Sequence, residues 1–174
     1  MKYLVKIFVI IIFLFCNNLS YAENLIVYID MEKILNESKS GMSINKQLEE
    51  IHKINIKEFK KIEDELKKKE ELIIAQKNIL SKEDYTKKIK ILRDNTNSYR
   101  KNRQEKINLL TKKRMESSSK LLSIINPILS DYSKANNISI ILQKKNVVLA
   151  KTDLNITNKI INILNSKIES INLN

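Results

Sequence analysis

The scarcity of glycine and proline is the feature that most restricts how this chain can fold. Its 174 residues include one glycine, Gly41, and one proline, Pro127, whereas average usage would place roughly twelve glycines and nine prolines in a chain of this length. Tight turns depend on these residues, so few can form and long helices are favoured. The scarcity also excludes a P-loop and a dinucleotide-binding turn, because both need several glycines where the backbone approaches a phosphate.

Residues suited to metal binding or nucleophilic catalysis are equally few. The chain has one histidine, His52, one cysteine, Cys16, and no tryptophan. One histidine cannot build a histidine-rich metal site, and one cysteine cannot form an intrachain disulfide. No nucleophile–base set or metal cluster is visible in the sequence. We therefore expect a protein that is not an enzyme and that binds no cofactor and no metal.

Residues 1–22 are typical of an export signal. Lys2 and Lys6 precede and enter the apolar run 7–16, which is followed by the small-x-small sequence that ends at Ala22. The run is too short to span a bilayer, which takes about twenty residues as a helix. Cleavage between Ala22 and Glu23 is predicted, with a periplasmic location, and an uncleaved membrane anchor is the alternative. Loss of the two lysines would lower the formal net charge from +12 to +10.

The two ends of the mature chain carry the candidate strands. Residues 25–29 are β-branched and aromatic and predict a short strand, after which Asp30 should cap a short helix that Gly41 ends. Residues 138–142 and 147–150 predict a β-hairpin. Strands from both ends must meet in one small body, because neither set alone makes a viable sheet.

A last amphipathic helix should follow the hairpin. Thr152 or Asp153 is expected to cap it, and its apolar residues run from Leu154 to Ile168 at helical spacing.

The middle of the chain predicts two long amphipathic helices. Ser81 to Asp84 match a capping box that would start the second helix, and Pro127 should kink that helix or begin a new turn. Residues 43–80 alone would measure about 57 Å as a helix. An antiparallel hairpin of this length must project as an arm over residues 42–127. Its predicted seam comprises Phe59, Ile62, Leu66, Ile73, Leu80, Tyr85, Ile89, Leu92 and Tyr99.

Several seam positions are polar, which weakens the predicted coiled coil. Lys69, Gln76, Thr96 and Arg103 occupy positions where a stable coiled coil prefers Leu or Ile. The arm should therefore be stable at its base and supple further out. The apolar seam residues could instead face a binding partner, and the lysine runs near residues 60, 68 and 88 could contact a partner or form a solvated face.

Residues at both ends of the mature chain resemble the OmpH/Skp family of periplasmic chaperones. The segment 26–38 with the nearby Gly41 is similar to the family's opening strand, its Asp-Met-x-x-Ile-Leu sequence and its Glu-Ser pair. Residues 138–142, 147–150 and 155–161 are similar to the family's strand pair and closing helix, where Asn155 replaces the usual acidic residue. The order of elements agrees over essentially the whole mature chain.

The resemblance implies an α+β fold, mostly helical, that assembles as a homotrimer. Residues 23–41 and 128–174 would form the trimerisation body, and three arms would surround a cavity that holds unfolded outer-membrane β-barrel proteins without ATP. The body strands would contribute Ile26, Val27, Ile29, Ile138, Ile140, Leu142, Val147 and Leu149.

Two other functions remain as alternatives. The basic charge suggests nonspecific nucleic-acid binding, but export would separate the protein from nucleic acid, so no such partner is expected. A structural coiled-coil scaffold of the cell envelope is the stronger alternative, although a scaffold would favour a continuous heptad. The charge would also attract anionic membrane surfaces.

Overall fold

The computed structural model describes residues 25–173, and its elements follow one another from strand to arm to strand. Strand β1 (Leu25–Ile29) leads into a short helix α1 (Met31–Glu37) and the long helices α2 (Lys39–Ala75) and α3 (Lys82–Ala135). Strand β2 (Ile138–Gln143) and helix α4 (Thr157–Lys167) complete the fold. The predicted leader with Cys16 and the predicted cleavage site between Ala22 and Glu23 lie outside the described residues.

The two strands come from opposite ends of the chain and pair in parallel. Leu25 lies opposite Ile138, and after an irregularity in register Ile26 lies opposite Ile140 and Ile29 opposite Gln143. Parallel strands need a long crossover connection, and the helical hairpin serves as that crossover. The prediction that strands from both ends meet in one small body is confirmed, as is the mostly helical α+β fold.

The predicted β-hairpin is wrong. Residues 147–150 form no strand, and a 3-10 turn (Lys144–Asn146) directly follows β2. Strand β2 pairs with β1 along one edge, and no strand among residues 25–173 pairs with its other edge. Val147 and Leu149 therefore lie in a loop, and Leu149 is 92% exposed.

Helix α1 begins as predicted, with Asp30 as its N-terminal cap. Asp30 Oδ1 accepts a hydrogen bond from Lys33 N at 3.0 Å, and Asp30 Oδ2 accepts one from Lys144 Nζ at 3.0 Å. The Lys33 amide, and after it the Lys144 ammonium, lower the pKa of Asp30 from its ordinary value of 3.8. Thr157 Oγ1 in turn accepts from Asp30 N at 2.8 Å, which ties α4 to the same junction.

Gly41 does not end α1, which corrects the prediction. Ser38 separates the two helices in extended backbone, and its side chain caps α2 by accepting from Gly41 N at 3.1 Å. Gly41 lies in the first turn of α2, where a Cβ atom would stand 2.1 Å from the Leu35 carbonyl oxygen. The φ angle of Gly41 is not positive, so backbone conformation does not require a glycine here. The glycine is needed because a side chain would prevent the close approach of the two helices.

The parts of α2 and α3 beyond the core form the arm, and the turn at residues 76–81 connects the two helices. At 1.5 Å per residue the 37-residue α2 measures about 55 Å and the 54-residue α3 about 81 Å. Ser81 caps α3 as predicted, accepting from Asp84 N at 3.0 Å. Helix α3 does not restart at Pro127 but continues to Ala135. Pro127 lies on the exposed side, where water can hydrate the carbonyl that the missing N–H leaves unpaired.

Neither Thr152 nor Asp153 caps the last helix. Those two residues belong to a separate 3-10 turn (Thr152–Leu154), and α4 begins at Thr157. Asn155 Oδ1 accepts from Thr157 N at 3.0 Å and from Thr157 Oγ1 at 2.5 Å. The Asn155 amide thus organises the start of α4.

A single apolar core joins all elements of the body. It includes Leu48 of α2 and Leu110 of α3 but no residue between them, so the arm leaves the core at these two positions. Its most deeply buried members are Ile34, Leu121, Ile125, Ile128, Ile160 and Leu164.

Candidate functional site

All nine residues predicted to form the seam of the arm are at least partly buried. Phe59 and Ile73 are buried, and the other seven are partly buried. Phe59 and Tyr99 meet edge to face, with ring centroids 6.3 Å apart and planes at 76°. The Arg103 guanidinium lies 5.5 Å from the centroid of Phe59. This aromatic contact joins α2 and α3 near the middle of the arm.

Polar groups hold the same part of the seam. The Tyr99 hydroxyl donates to Glu63, and Arg103 Nη1 donates to Glu63 Oε1 at 3.1 Å. Desolvation, followed by the hydrogen bond to Glu63, raises the pKa of Tyr99 from its ordinary value of 10.0. Lys106 pairs with Glu58 one turn closer to the body. The side chains of these pairs are partly exposed. Because exposed ion pairs stabilise by about 0–1 kcal/mol, they add little to the stability of the arm.

The distal arm exposes apolar side chains that the seam pattern did not predict. Ile79 is 82% exposed, and Leu72, Ile74 and Ile91 are more than half exposed. Residues 72, 74 and 79 each lie one position away from a seam residue, 73 or 80, and therefore fall outside the seam of the helix. This offset is the feature of the sequence from which their exposure could have been predicted. Two shallow clefts of about 240 and 290 Å³ separate the helices nearby, lined in part by Ile73, Leu92, Leu66 and Tyr99.

Cations surround the exposed apolar residues of the distal arm. Lys88 Nζ donates to Gln76 Oε1 at 2.7 Å across the two helices. Between residues 67 and 93 the basic side chains outnumber the acidic ones, at Lys67, Lys68, Lys69, Lys77, Lys82, Lys87, Lys88, Lys90 and Arg93 against Glu70, Glu71, Glu83 and Asp84. A surface of this kind can attract acidic chains over a Debye length and then contact their apolar residues.

The small sheet has one buried face and one exposed apolar face. Val27, Ile29 and Ile138 are buried in the core of their own chain. Ile26 alternates with Val27 and is exposed, and after the irregularity in register Ile140 and Leu142 pair with Ile26 and Tyr28 of β1 and are also exposed, Leu142 by 40%. The apolar outer face of the sheet and the exposed loop at residues 147–150 lie side by side. Exposed apolar surface of this kind is suited to contact with another protein chain.

A further cleft lies between α1, α2, α3 and the turn after β2. It has a volume of about 490 Å³ and a partly apolar floor that includes Leu35 and Ile44. Arg114 and two lysines stand on its rim together with Asp30 and Glu32. The opposite charges leave the cleft without a clear preference for an anion or a cation.

Residues 25–173 contain no group of three side chains that could hold a metal ion. Within the same range, no helix combines the length and the hydropathy needed to cross a membrane.

Comparison with known proteins gives a match to a family and matches to solved structures. The family of OmpH-like outer membrane proteins matches residues 25–164. A crystal structure from Caulobacter crescentus CB15, described as an OmpH-like outer membrane chaperone, superposes with a TM-score of 0.78 at 16% identity and covers 85% of this chain and 88% of that one. No curated protein matches.

Proposed function

We propose, from the premise that this chain belongs to the family of OmpH-like outer membrane proteins, that it is an ATP-independent holdase chaperone of the periplasm. Its clients would be unfolded outer-membrane β-barrel proteins, which it would keep from aggregating before membrane assembly. The observation that carries the proposal is the arm: it leaves the core at Leu48 and Leu110 and exposes apolar residues among cations at its distal part.

The holding mechanism would rely on many weak contacts. With one glycine the chain carries no glycine-rich phosphate-binding loop. In this proposal no nucleotide drives release, so each contact must be easily broken. Several weak contacts that act together reach high avidity without any single tight one. The exposed side chains of Leu72, Ile79 and Ile91 would supply such contacts. The surrounding lysines would speed the encounter with acidic clients and with anionic membrane surfaces.

A homotrimer would complete the cavity. The outer face of the sheet, with Ile26, Ile140 and Leu142, and the loop with Val147 and Leu149 would be covered by neighbouring copies. Exposed apolar surface of this kind marks protein contacts. In this proposal residues 23–41 and 128–174 form the body, and residues 42–127 form the arm that borders the cavity.

Native mass spectrometry tests the proposal directly. Residues 23–174 would be measured alone and after a urea-unfolded outer-membrane barrel is diluted into the sample without nucleotide. The expected result is a trimer that gains one client chain. An oligomer that stays empty while the barrel aggregates would contradict the holdase and favour the envelope scaffold.

A pair of variants assigns the client contacts to the distal arm. Leu72→Ser with Ile79→Ser removes two exposed apolar side chains from that part, and Met42→Ser with Ile54→Ser removes two from the part nearer the body. The distal pair should weaken the holding of the barrel more than the control pair, at equal helical content. Equal loss in both pairs would contradict the assignment.

A further inference from the structure

The C-terminal tail, residues 168–173, runs along the root of the arm after α4 ends at Lys167. Ile171 is only 3% exposed and belongs to the core, against which Ile168 and Leu173 also pack. The tail lies beyond the family match, which ends at residue 164.

One side chain of α2 binds the backbone of the tail at two points. Gln47 Nε2 donates to the Ile171 carbonyl at 2.7 Å, and Gln47 Oε1 accepts from Leu173 N at 3.0 Å. A primary amide that engages both a carbonyl and an N–H of an extended segment recognises its backbone rather than its side chains. Such recognition tolerates different sequences, as in other sites that bind extended peptides.

The tail lies in a groove between α2 and α3, and the space between the tail and α3 is incompletely filled. A cavity of about 170 Å³ lies between the tail residues Ile171, Asn172 and Leu173 and the α3 side chains of Lys113, Glu116, Ser117 and Lys120. The tail therefore fits closely against α2 but leaves room on the α3 side for larger side chains.

The start of α2 holds the other end of the tail. Asn165 Oδ1 accepts from Lys39 N at 2.8 Å, and Lys39 Nζ pairs with Glu169 Oε1 at 2.6 Å. Lys39 and Glu169 are both largely exposed, and exposed pairs of this kind contribute little. The buried anchor of the tail is thus Ile171, and its polar anchor is Gln47.

We propose that the groove between α2 and α3 at the root of the arm is a binding site for extended apolar peptides, and that the chain's own tail is its resident, displaceable ligand. The ligand class is an extended segment with apolar side chains two residues apart, as at Ile171 and Leu173. While the tail is bound, another extended segment has to compete with it. The proposal concerns this groove and holds whether or not the protein is a holdase.

The direct test removes the tail and returns it as a peptide. Residues 23–167 would be titrated with a fluorescent peptide of residues 166–174, and the anisotropy should show saturable binding. The full-length chain should bind the same peptide at least about tenfold more weakly, because the tethered tail competes at a high effective concentration. No binding to folded 23–167 would overturn the proposal.

Variants of peptide and protein test the two anchors. A peptide with Ile171→Asp should bind at least about tenfold more weakly, because an unpaired charge would be buried, whereas Asn172→Asp puts the same charge on the exposed neighbour and should have little effect. Gln47→Ala should weaken binding by about tenfold through the loss of two hydrogen bonds. The control Lys46→Ala changes an exposed neighbour in α2. Equal effects of Gln47→Ala and Lys46→Ala would refute the backbone clamp.

A second measurement serves if residues 23–167 do not fold, as judged by circular dichroism. The only cysteine, Cys16, lies in the predicted leader, so Asn172→Cys gives the mature chain a single site for a spin label. Gln47→Ala, or an excess of the unlabelled peptide, should increase the label's mobility, and Lys46→Ala should not. A label equally immobile under both treatments would contradict a displaceable tail.

Discussion

Replacement of Gly41 by alanine should destabilise the protein, although the same change stabilises most helices. Within an exposed helix, glycine to alanine gains about 1 kcal/mol. Here the new Cβ would lie 2.1 Å from the Leu35 carbonyl oxygen, 2.8 Å from the carbonyl carbon and 2.9 Å from Ser38 Oγ. Two of these three atoms are backbone, so no side-chain rotation relieves the overlap.

The size of the effect follows from the movement that the overlap requires. Helix α2 would have to move by about 1 Å away from the last turn of α1, at a junction where Ser38 and Ser40 are fully buried. Overpacking of this kind typically costs about 1–3 kcal/mol, and loss of the Ser38 cap about 1 kcal/mol more. After the helix gain of about 1 kcal/mol is subtracted, we expect Gly41→Ala to lower the free energy of unfolding by about 1–3 kcal/mol.

Urea unfolding followed by circular dichroism at 222 nm measures this difference. The protomer concentration must be the same in all samples, because association would contribute to the measured stability. Lys46→Ala, an exposed change in the same helix, should stay within about 0.5 kcal/mol of the parent chain. A Gly41→Ala protein as stable as the parent, with an unchanged dependence on urea, would refute the steric reading of this glycine.

Three further changes test the junction, the seam and the sheet. Asp30→Asn keeps a cap but removes the charge, and it should lower the free energy of unfolding at neutral pH by about 0.5–1 kcal/mol. The pKa of Asp30 in the folded protein lies below its ordinary value of 3.8. The stabilisation by the carboxylate is therefore fully present above pH 3.8 and is lost as the pH falls through the pKa of the folded state. Urea titrations at pH 7 and pH 3 check this, and a difference that grows on acidification would contradict it. Phe59→Ala should increase amide hydrogen exchange around residues 55–63 and 95–103 and leave the body protected. Tyr99→Phe removes only a hydroxyl and should change exchange far less. Equal effects of the two variants would contradict the aromatic contact as the main connection between α2 and α3. Leu142→Asp, at a position 40% exposed, should leave a folded monomer, while Ile29→Asp, at a position 2% exposed, should unfold the body. Native mass spectrometry with circular dichroism separates these outcomes, and a trimer that survives Leu142→Asp would place the trimer contact elsewhere.

Local patterns predicted most of the helical architecture. The spacing of Phe59, Ile73 and Leu92 indicated the seam, and the Ser81 cap indicated where α3 begins. Both depend on contacts between residues close in sequence or repeated along one helix. Such contacts are encoded by periodicity and by capping chemistry, so the arm was predictable.

The predictions that were wrong concern features that depend on contacts between residues far apart in sequence. Residues 147–150 look like a strand by composition, yet β2 pairs with β1 from the other end of the chain. Gly41 looks like a helix terminator, yet its role is set by how closely α1 approaches α2. Neither the partner of a strand edge nor the spacing of two helices is written in a local pattern.

The sequence by itself determined the helical arm, the two end strands and the resemblance to the family. Only the tertiary structure decided which faces of the strands are buried, that Ile79 and Leu72 stand outside the seam, and that Gln47 binds the tail. Periodicity specifies which side chains share a face, because backbone geometry repeats along an element. What each face meets depends on the packing of elements far apart in sequence, which only the folded chain brings together.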